Sequence, residues 1–264
     1  MSMIAASKMR RTQEAALQGR PYAEHLRQLL ADLAAQPHEE ENPNPLLQTR
    51  DIRRLQVIII TPDRGLTGGL NASVNRAAAQ FLIDNEGIET TVVAVGKKGS
   101  EFMARTGQNV KAVFTDLGDR PTIEDIRPIA TIVSNEYANA EVDAVYLAYS
   151  DFVSTVSQKP VVLPLLPVIP AVLQDKDMVG YIYEPNSQEV LSALLPRFVE
   201  MQIYHAVLEA IASEQSARMV AMRNATDNAS QMVDDLTLVM NKARQESITT
   251  ELLDIVGGAA AVEA

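Results

Sequence analysis

The chain has 264 residues, 47% of them hydrophobic, with no cysteine, no tryptophan and a formal net charge of -11. That apolar content builds a substantial core and excludes a disordered chain. Missing thiols exclude disulfides, thiolate metal sites and thiol nucleophiles, and the acidic balance argues against a phosphate-binding surface and hence against nucleic acid.

No apolar run approaches the roughly 20 residues of a membrane helix. The start, Met1 to Lys8, runs into charge without a signal-peptide core. The expected setting is the cytoplasm, at most on the surface of a membrane complex and without direct insertion.

Residues 1–35 read as a helix, alanine-rich, with Met9, Leu26, Leu29, Leu30 and Leu33 at helical spacings. Gly19 and Pro21 interrupt the pattern, so a kink is expected there. Residues 36–50 form a linker, its first part, Gln36 to Asn44, acidic and proline-bearing.

Residues 51–185 alternate short apolar runs with helical ones. Leu55 to Thr61 is a β-branched run ending at Pro62, as expected of a buried strand. Leu70 to Asn85 reads as a helix, Thr90 to Gly96 as a strand, Ser100 to Thr106 as a short helix and Val110 to Phe114 as a strand. Thr122 to Asn139 is a helix with Thr122 and Asp125 suited to its first turn, and Val142 to Tyr149 is a strand. This alternation predicts an α/β fold, a Rossmann-like domain with a mainly parallel sheet. Phe152 to Ser157, Val161 to Leu166 and Tyr181 to Tyr183 add late strands. Pro160, Pro164, Pro167 and Pro170 place these at an antiparallel edge.

Residues 186–264 form the C-terminal helix. Asn186 to Glu189 is a capping-box-like start, and after Pro196 no glycine or proline occurs until Gly257. That stretch of about 60 residues extends about 90 Å as a helix. Its apolar positions recur every ~3.5 residues: Leu208, Ile211, Met219, Met222, Ala225, Ala229, Val233, Leu236, Met240 and Ala243, with Gln215 as the polar interruption. The pattern is a coiled-coil seam whose antiparallel partner is the N-terminal helix. A plain core helix is the blander reading, weakened because a domain of about 150 residues cannot cover such a length. The two helices are unequal, about 50 Å against roughly 105 Å.

The catalytic-looking segment is Pro62 to Asn71, a glycine-rich turn leaving the first strand and opening a helix. Gly65, Gly68 and Gly69 fit neither the dinucleotide fingerprint nor a Walker loop, so the expected role is a tight turn with positive φ and close packing. A nucleotide-binding α/β enzyme remains an alternative reading. His25, His38 and His205 are scattered and form no metal-ligand spacing. Ser150, Asp151, Ser154 and Ser157 lack a nucleophile elbow and read as turn and edge residues. Asp234 and Asp235 lie beside the seam and are expected to face solvent. No catalytic residue, cofactor or metal site is assigned.

Three C-terminal blocks, Ala217 to Asn228, Asn241 to Thr249 and Glu251 to Ala261, closely resemble the gamma subunits of F-type ATP synthases. Met3 to Gln13, Arg20 to Ala23 and Asp63 to Asn71 agree and follow in the same order, the family often carrying cysteine at the position of Thr67. The resemblance covers nearly the whole chain. It implies a central rotor stalk: paired terminal helices inside a ring of alpha and beta subunits, and an α/β domain resting on the membrane c-ring and holding the epsilon subunit. Proton flow turns the stalk while ATP chemistry stays in the beta subunits. A non-rotary coiled-coil scaffold is the other alternative.

By motif position, Arg244, Gln245 and Thr249 match residues that engage beta-subunit loops, for which an arginine fork suits loop carboxylates. The bland reading of Arg244 is a solvated helix face. Arg218 and Met1 resemble a mid-shaft contact to the beta subunit. The family carries a further basic stretch of about two helical turns or more ahead of Met1. Without it the seam beyond about Met219 has no partner within the chain, so either about 20 further residues are expected upstream or the tip takes its cover from the surrounding ring. No cysteine-bearing insertion of the chloroplast kind is present, which favours a bacterial type at the cytoplasmic face of the plasma membrane.

Overall fold

The computed structural model describes residues 2–35, 44–170, 183, 184 and 186–263. Met1, His38, most of the expected linker and two residues of the expected Tyr181 to Tyr183 strand lie outside the described residues. Tyr183 itself is not in a strand. The chain divides into two units, Met1–Val220 and Ala221–Ala264.

In the first unit, β1 (Arg54–Ile60), β2 (Glu89–Val95), β3 (Asn109–Phe114), β4 (Ala144–Ser154) and β5 (Ser157–Leu166) form one sheet in the order β3-β2-β1-β4-β5. The first four strands are mutually parallel, and β5 runs antiparallel to β4 at the edge. The prolines explain that placement. Pro160 and Pro164 lie in β5, where a missing N–H is tolerated. The late strands differ from expectation in one respect: Phe152 continues β4, and Thr155 and Val156 make the hairpin turn.

β1 occupies the centre because both of its faces are apolar. Leu55, Val57 and Ile59 pack with Val74 and Ala78 of α2 (Leu70–Asp84) and Met103 of α3 (Lys97–Arg105). Ile58 and Ile60 face the opposite way, toward Ile126, Ile129 and Val133 of α4 (Ile123–Ala138). Asp125 starts α4, its carboxylate accepting from the Thr122 N–H at 2.7 Å and hydroxyl at 2.8 Å. These bonds hold its pKa below the ordinary carboxylate value.

α1 (Ser2–Ala35) and α5 (Ser187–Glu263) complete the described helices. α1 continues as helix through Gly19 and Pro21; proline removes one N–H donor from the ladder without ending the helix there. Leu30 and Leu33 of α1 share a core with Leu191, Leu195 and Val199 of α5. Lys8, Arg11 and Thr12 line a cleft with Tyr204 and Leu208. Early α1 thus meets later α5 and late α1 meets early α5, an antiparallel pair. α5 also runs on through Pro196 and through Gly257 and Gly258.

The second unit is helical throughout its described length. From Arg223 to Gly258 every residue except Asn241 is exposed. The seam residues Val233, Leu236 and Met240 stand 61%, 62% and 60% exposed, so the seam beyond about Met219 has no cover among the described residues.

Candidate functional site

In a doubly wound sheet, ligands bind beyond the carboxyl ends of the parallel strands, near the point where strand order reverses. Here that point lies between β1 and β4, and beside it the exits of β1, β2 and β3 are closed by the chain's own groups. The first turn of α3 offers three N–H donors. Asp63 Oδ1 accepts from Lys97 N at 2.9 Å, the Pro62 carbonyl from Lys98 N at 3.2 Å, and Thr61 Oγ1 from Gly99 N at 2.7 Å. The other Asp63 oxygen accepts from Asp116 N at 2.9 Å, tying the exits of β1 and β3. An anion at this helix end would have to displace a carboxylate the chain supplies itself.

Space is equally short. The cavity at these strand ends holds about 50 Å³ and is lined from above by Val207, Ala210, Ile211 and Glu214 of α5. Small-molecule sites run to about 300–1,000 Å³. On the β4 side, Ser213 Oγ donates to the Ser150 carbonyl at 3.0 Å. The crevice that would serve a nucleotide is the seat of α5.

The glycine turn differs from its expected packing. Gly68 has φ 57, as a tight turn requires, and Leu66 shares that conformation at φ 64. A Cβ on Gly65 or Gly69 meets nothing within 4 Å. The close approach is instead at Gly96, with φ 97, where a Cβ would lie 1.8 Å from the Thr61 carbonyl oxygen. Strand β2 leaves the sheet against the exit of β1, a contact between segments distant in sequence.

Gln215, the polar break in the seam, is buried, and its Nε2 donates to Asp119 Oδ1 at 3.1 Å. Lys8 of α1 holds the other oxygen of Asp119 at 2.5 Å. One turn away, Arg218 pairs with Glu214 at 2.6 Å and reaches the Gly65 carbonyl at 3.5 Å. Burial raises the Glu214 pKa above its ordinary value, Arg218 opposes that shift, and the charges of Asp119 and Asp63 reinforce it. Arg218, assigned from its motif position to a partner loop, is engaged here within its own chain.

Arg244, Gln245 and Thr249 lie together on the second unit, all exposed. Thr249 and Gln245 are one turn apart, with Thr249 Oγ1 donating to the Gln245 carbonyl at 2.8 Å. Among the described residues Arg244 has no carboxylate partner, so its fork of donors is open to another chain. Asp234 and Asp235 face solvent as expected, and Met1 lies outside the described residues. Around these polar groups Met232, Val233, Leu236, Val239, Met240, Ile248 and Leu252 are each 50% or more exposed. No helix among the described residues is long and apolar enough to cross a membrane.

Sequence reasoning missed one buried polar set. Gln56, fully buried in β1, donates through Nε2 to Glu136 Oε2 at 2.5 Å, and Glu136 pairs with Lys111 at 2.8 Å. A lone glutamine inside a β-branched run was its visible signal.

A ligand crevice sealed by a helix, whose continuation carries open apolar and polar surface, defines a subunit made to be enclosed by other chains. The comparisons give the particular family. The family described as ATP synthase matches residues 1–262, and the chain belongs to the ATP synthase gamma chains. It is 54% identical to the ATP synthase gamma chain of a Dehalococcoides mccartyi strain, over 99% of this chain and 92% of that one. It is 50% identical to that of Roseiflexus castenholzii, over 99% and 91%. Among solved structures it is similar to a chain from the central stalk and c-ring of the Tetrahymena thermophila mitochondrial ATP synthase, with TM-score 0.66, 26% identity, 86% of this chain and 97% of that one. A chain from the Euglena gracilis mitochondrial enzyme shares the fold, with TM-score 0.61 at 20% identity, covering 99% and 94%.

Proposed function

We propose that this chain is the central rotor stalk of an F-type ATP synthase, coupling proton flow through a membrane c-ring to ATP synthesis or hydrolysis at the beta subunits. The observation that carries the reading is the uncovered helix from Arg223 to Gly258, apolar and polar by turns, in a chain that matches the family throughout. Such a surface fits the bore of a ring of alpha and beta subunits. An asymmetric shaft then presents a different face to each catalytic site and biases it among open, loose and closed states.

In this role the chain carries no catalytic group, cofactor or metal of its own. Residues 1–35 and 186–264 form the shaft, residues 36–50 the link, and residues 51–185 the domain that meets the c-ring and the epsilon subunit. Arg244, Gln245 and Thr249 contact beta-subunit loops, Arg244 through charge-assisted bonds to loop carboxylates. Arg218 and Met1 are assigned to the mid-shaft contact, with Arg218 exchanging Glu214 for a partner group. The complex lies at the cytoplasmic face of a bacterial plasma membrane, to which the chain is peripheral.

Co-purification from cells tests the assembly: alpha, beta and epsilon chains should accompany this one in a complex that hydrolyses ATP. The double substitution Arg244→Ala with Gln245→Ala should leave assembly intact and lower proton pumping per ATP hydrolysed. Unchanged coupling would remove the loop assignment, and a chain recovered alone would remove the rotor reading.

A further inference from the structure

Between α1, α5 and the loop before α4 the first unit carries a cleft of about 810 Å³, lined by Lys8, Arg11, Thr12, Asp119, Arg120 and Tyr204 among others. Unlike the crevice at the strand ends, it has the volume of a small-molecule site. Its charges do not cancel. Lys8 is taken by Asp119 at 2.5 Å, and Asp119 is further satisfied by Gln215. Glu14, the other acid on the wall, pairs with Arg10 at 3.3 Å. Arg11 and Arg120 remain, both exposed, and neither has an acidic partner among the described residues. In a chain of net charge -11, two uncommitted guanidinium groups lining one cleft form a local positive site.

From this arrangement we propose that the cleft binds a phosphate-bearing anion, with Arg11 and Arg120 as its ligands. A guanidinium presents a planar fork of donors that matches phosphate oxygens two at a time, and two forks suit a diphosphate or a longer chain better than a single phosphate. Tyr204 of α5 adds a ring to the cleft lining, against which a nucleobase can lie. The shared chemistry is the oligophosphate group, whether inorganic or carried by a nucleotide. The site is independent of the rotor reading, because it uses no residue of the helix beyond Val220, and of the glycine turn, because Gly65 to Gly69 do not line it.

Titration calorimetry of the full chain at low ionic strength, with inorganic pyrophosphate, ATP and AMP in separate arms, tests the proposal. Pyrophosphate should bind saturably, with an affinity that falls as salt is raised. Arg11→Gln with Arg120→Gln should weaken it at least about tenfold, whereas Gly65→Ala should leave it unchanged. Because both arginines are exposed, the double variant should keep its circular dichroism spectrum and urea midpoint. Arg11→Lys with Arg120→Lys, which keeps the charge and loses the fork, should fall between. Equal affinity for ATP and pyrophosphate assigns the site to the phosphates alone, and tighter ATP adds Tyr204; both support the proposal. Absence of saturable binding up to millimolar pyrophosphate, undiminished binding in the glutamine variant, or binding of an oligoglutamate peptide in place of pyrophosphate would overturn it.

Discussion

If the helix beyond Val220 is covered only in the assembled complex, trimming its apolar stripe should cost the complex and spare the isolated chain. Val233, Leu236 and Met240 follow one another at helical spacing and are 61%, 62% and 60% exposed. Full burial of such a side chain contributes about 1.5–3 kcal/mol. With over half of each still in water, cover by a ring would yield about 1–2 kcal/mol apiece, or about 3–5 kcal/mol together. The triple alanine variant should therefore lose about two to nearly four orders of magnitude in resistance to dissociation of the complex on dilution. In urea unfolding of the isolated chain, followed by circular dichroism, each change should stay within about 0.5 kcal/mol, as for other exposed positions. Ile203→Ala gives the contrast: this α5 side chain is fully buried, and its loss should cost the isolated chain about 2–5 kcal/mol. A triple variant that unfolds like Ile203→Ala, or a complex that holds together unchanged, would refute the reasoning.

Two further substitutions test the closed crevice. Gly96→Ala should destabilise the chain by about 3 kcal/mol or more, since its Cβ would lie 1.8 Å from a carbonyl oxygen at φ 97, whereas Gly65→Ala, with nothing within 4 Å, should stay within about 0.5 kcal/mol; equal urea midpoints would contradict the packing described. Glu214 provides a pH signature: burial raises its pKa in the fold, so the stability it contributes is fully present below the unfolded value near 4.5 and is lost as pH rises through the folded one. The wild-type chain should accordingly gain stability relative to Glu214→Gln as pH is lowered toward about 4.5, and parallel urea profiles would exclude the shift.

Much of the first unit was legible because its signals are local. The run Leu55 to Thr61 marked the central strand, the prolines of β5 marked the edge, and Thr122 with Asp125 marked a helix start. The unbroken stretch after Pro196 announced α5. What escaped was set by groups distant in sequence. Gln215 looked like a fault in the seam until Asp119 supplied its partner, and Gln56 meets Glu136 and Lys111 only across the sheet. Arg244, Gln245 and Thr249 illustrate a different limit. No spacing rule separates them from other solvated residues on a long helix, and only the motif they share with a family raised them to candidates.

The sealed crevice also bears on how the helix works. A lever must be held at its base more firmly than it is gripped elsewhere, or load would tear it out before the grip let go. Leu195, Val199, Ile203, Val207 and Ile211 of α5 are all buried against the rest of the first unit. At about 1.5–3 kcal/mol each they anchor it by roughly 8–15 kcal/mol, an upper figure because an unfolded chain already hides some of this surface. The contacts proposed for Arg244 and Gln245 are hydrogen bonds to loop groups, worth about 1.5–3 kcal/mol when charge-assisted. On that proposed assignment, the loop contact would be the one to break and re-form as the shaft turns. Packing α5 over the strand ends fixes the helix at its base, as a lever requires.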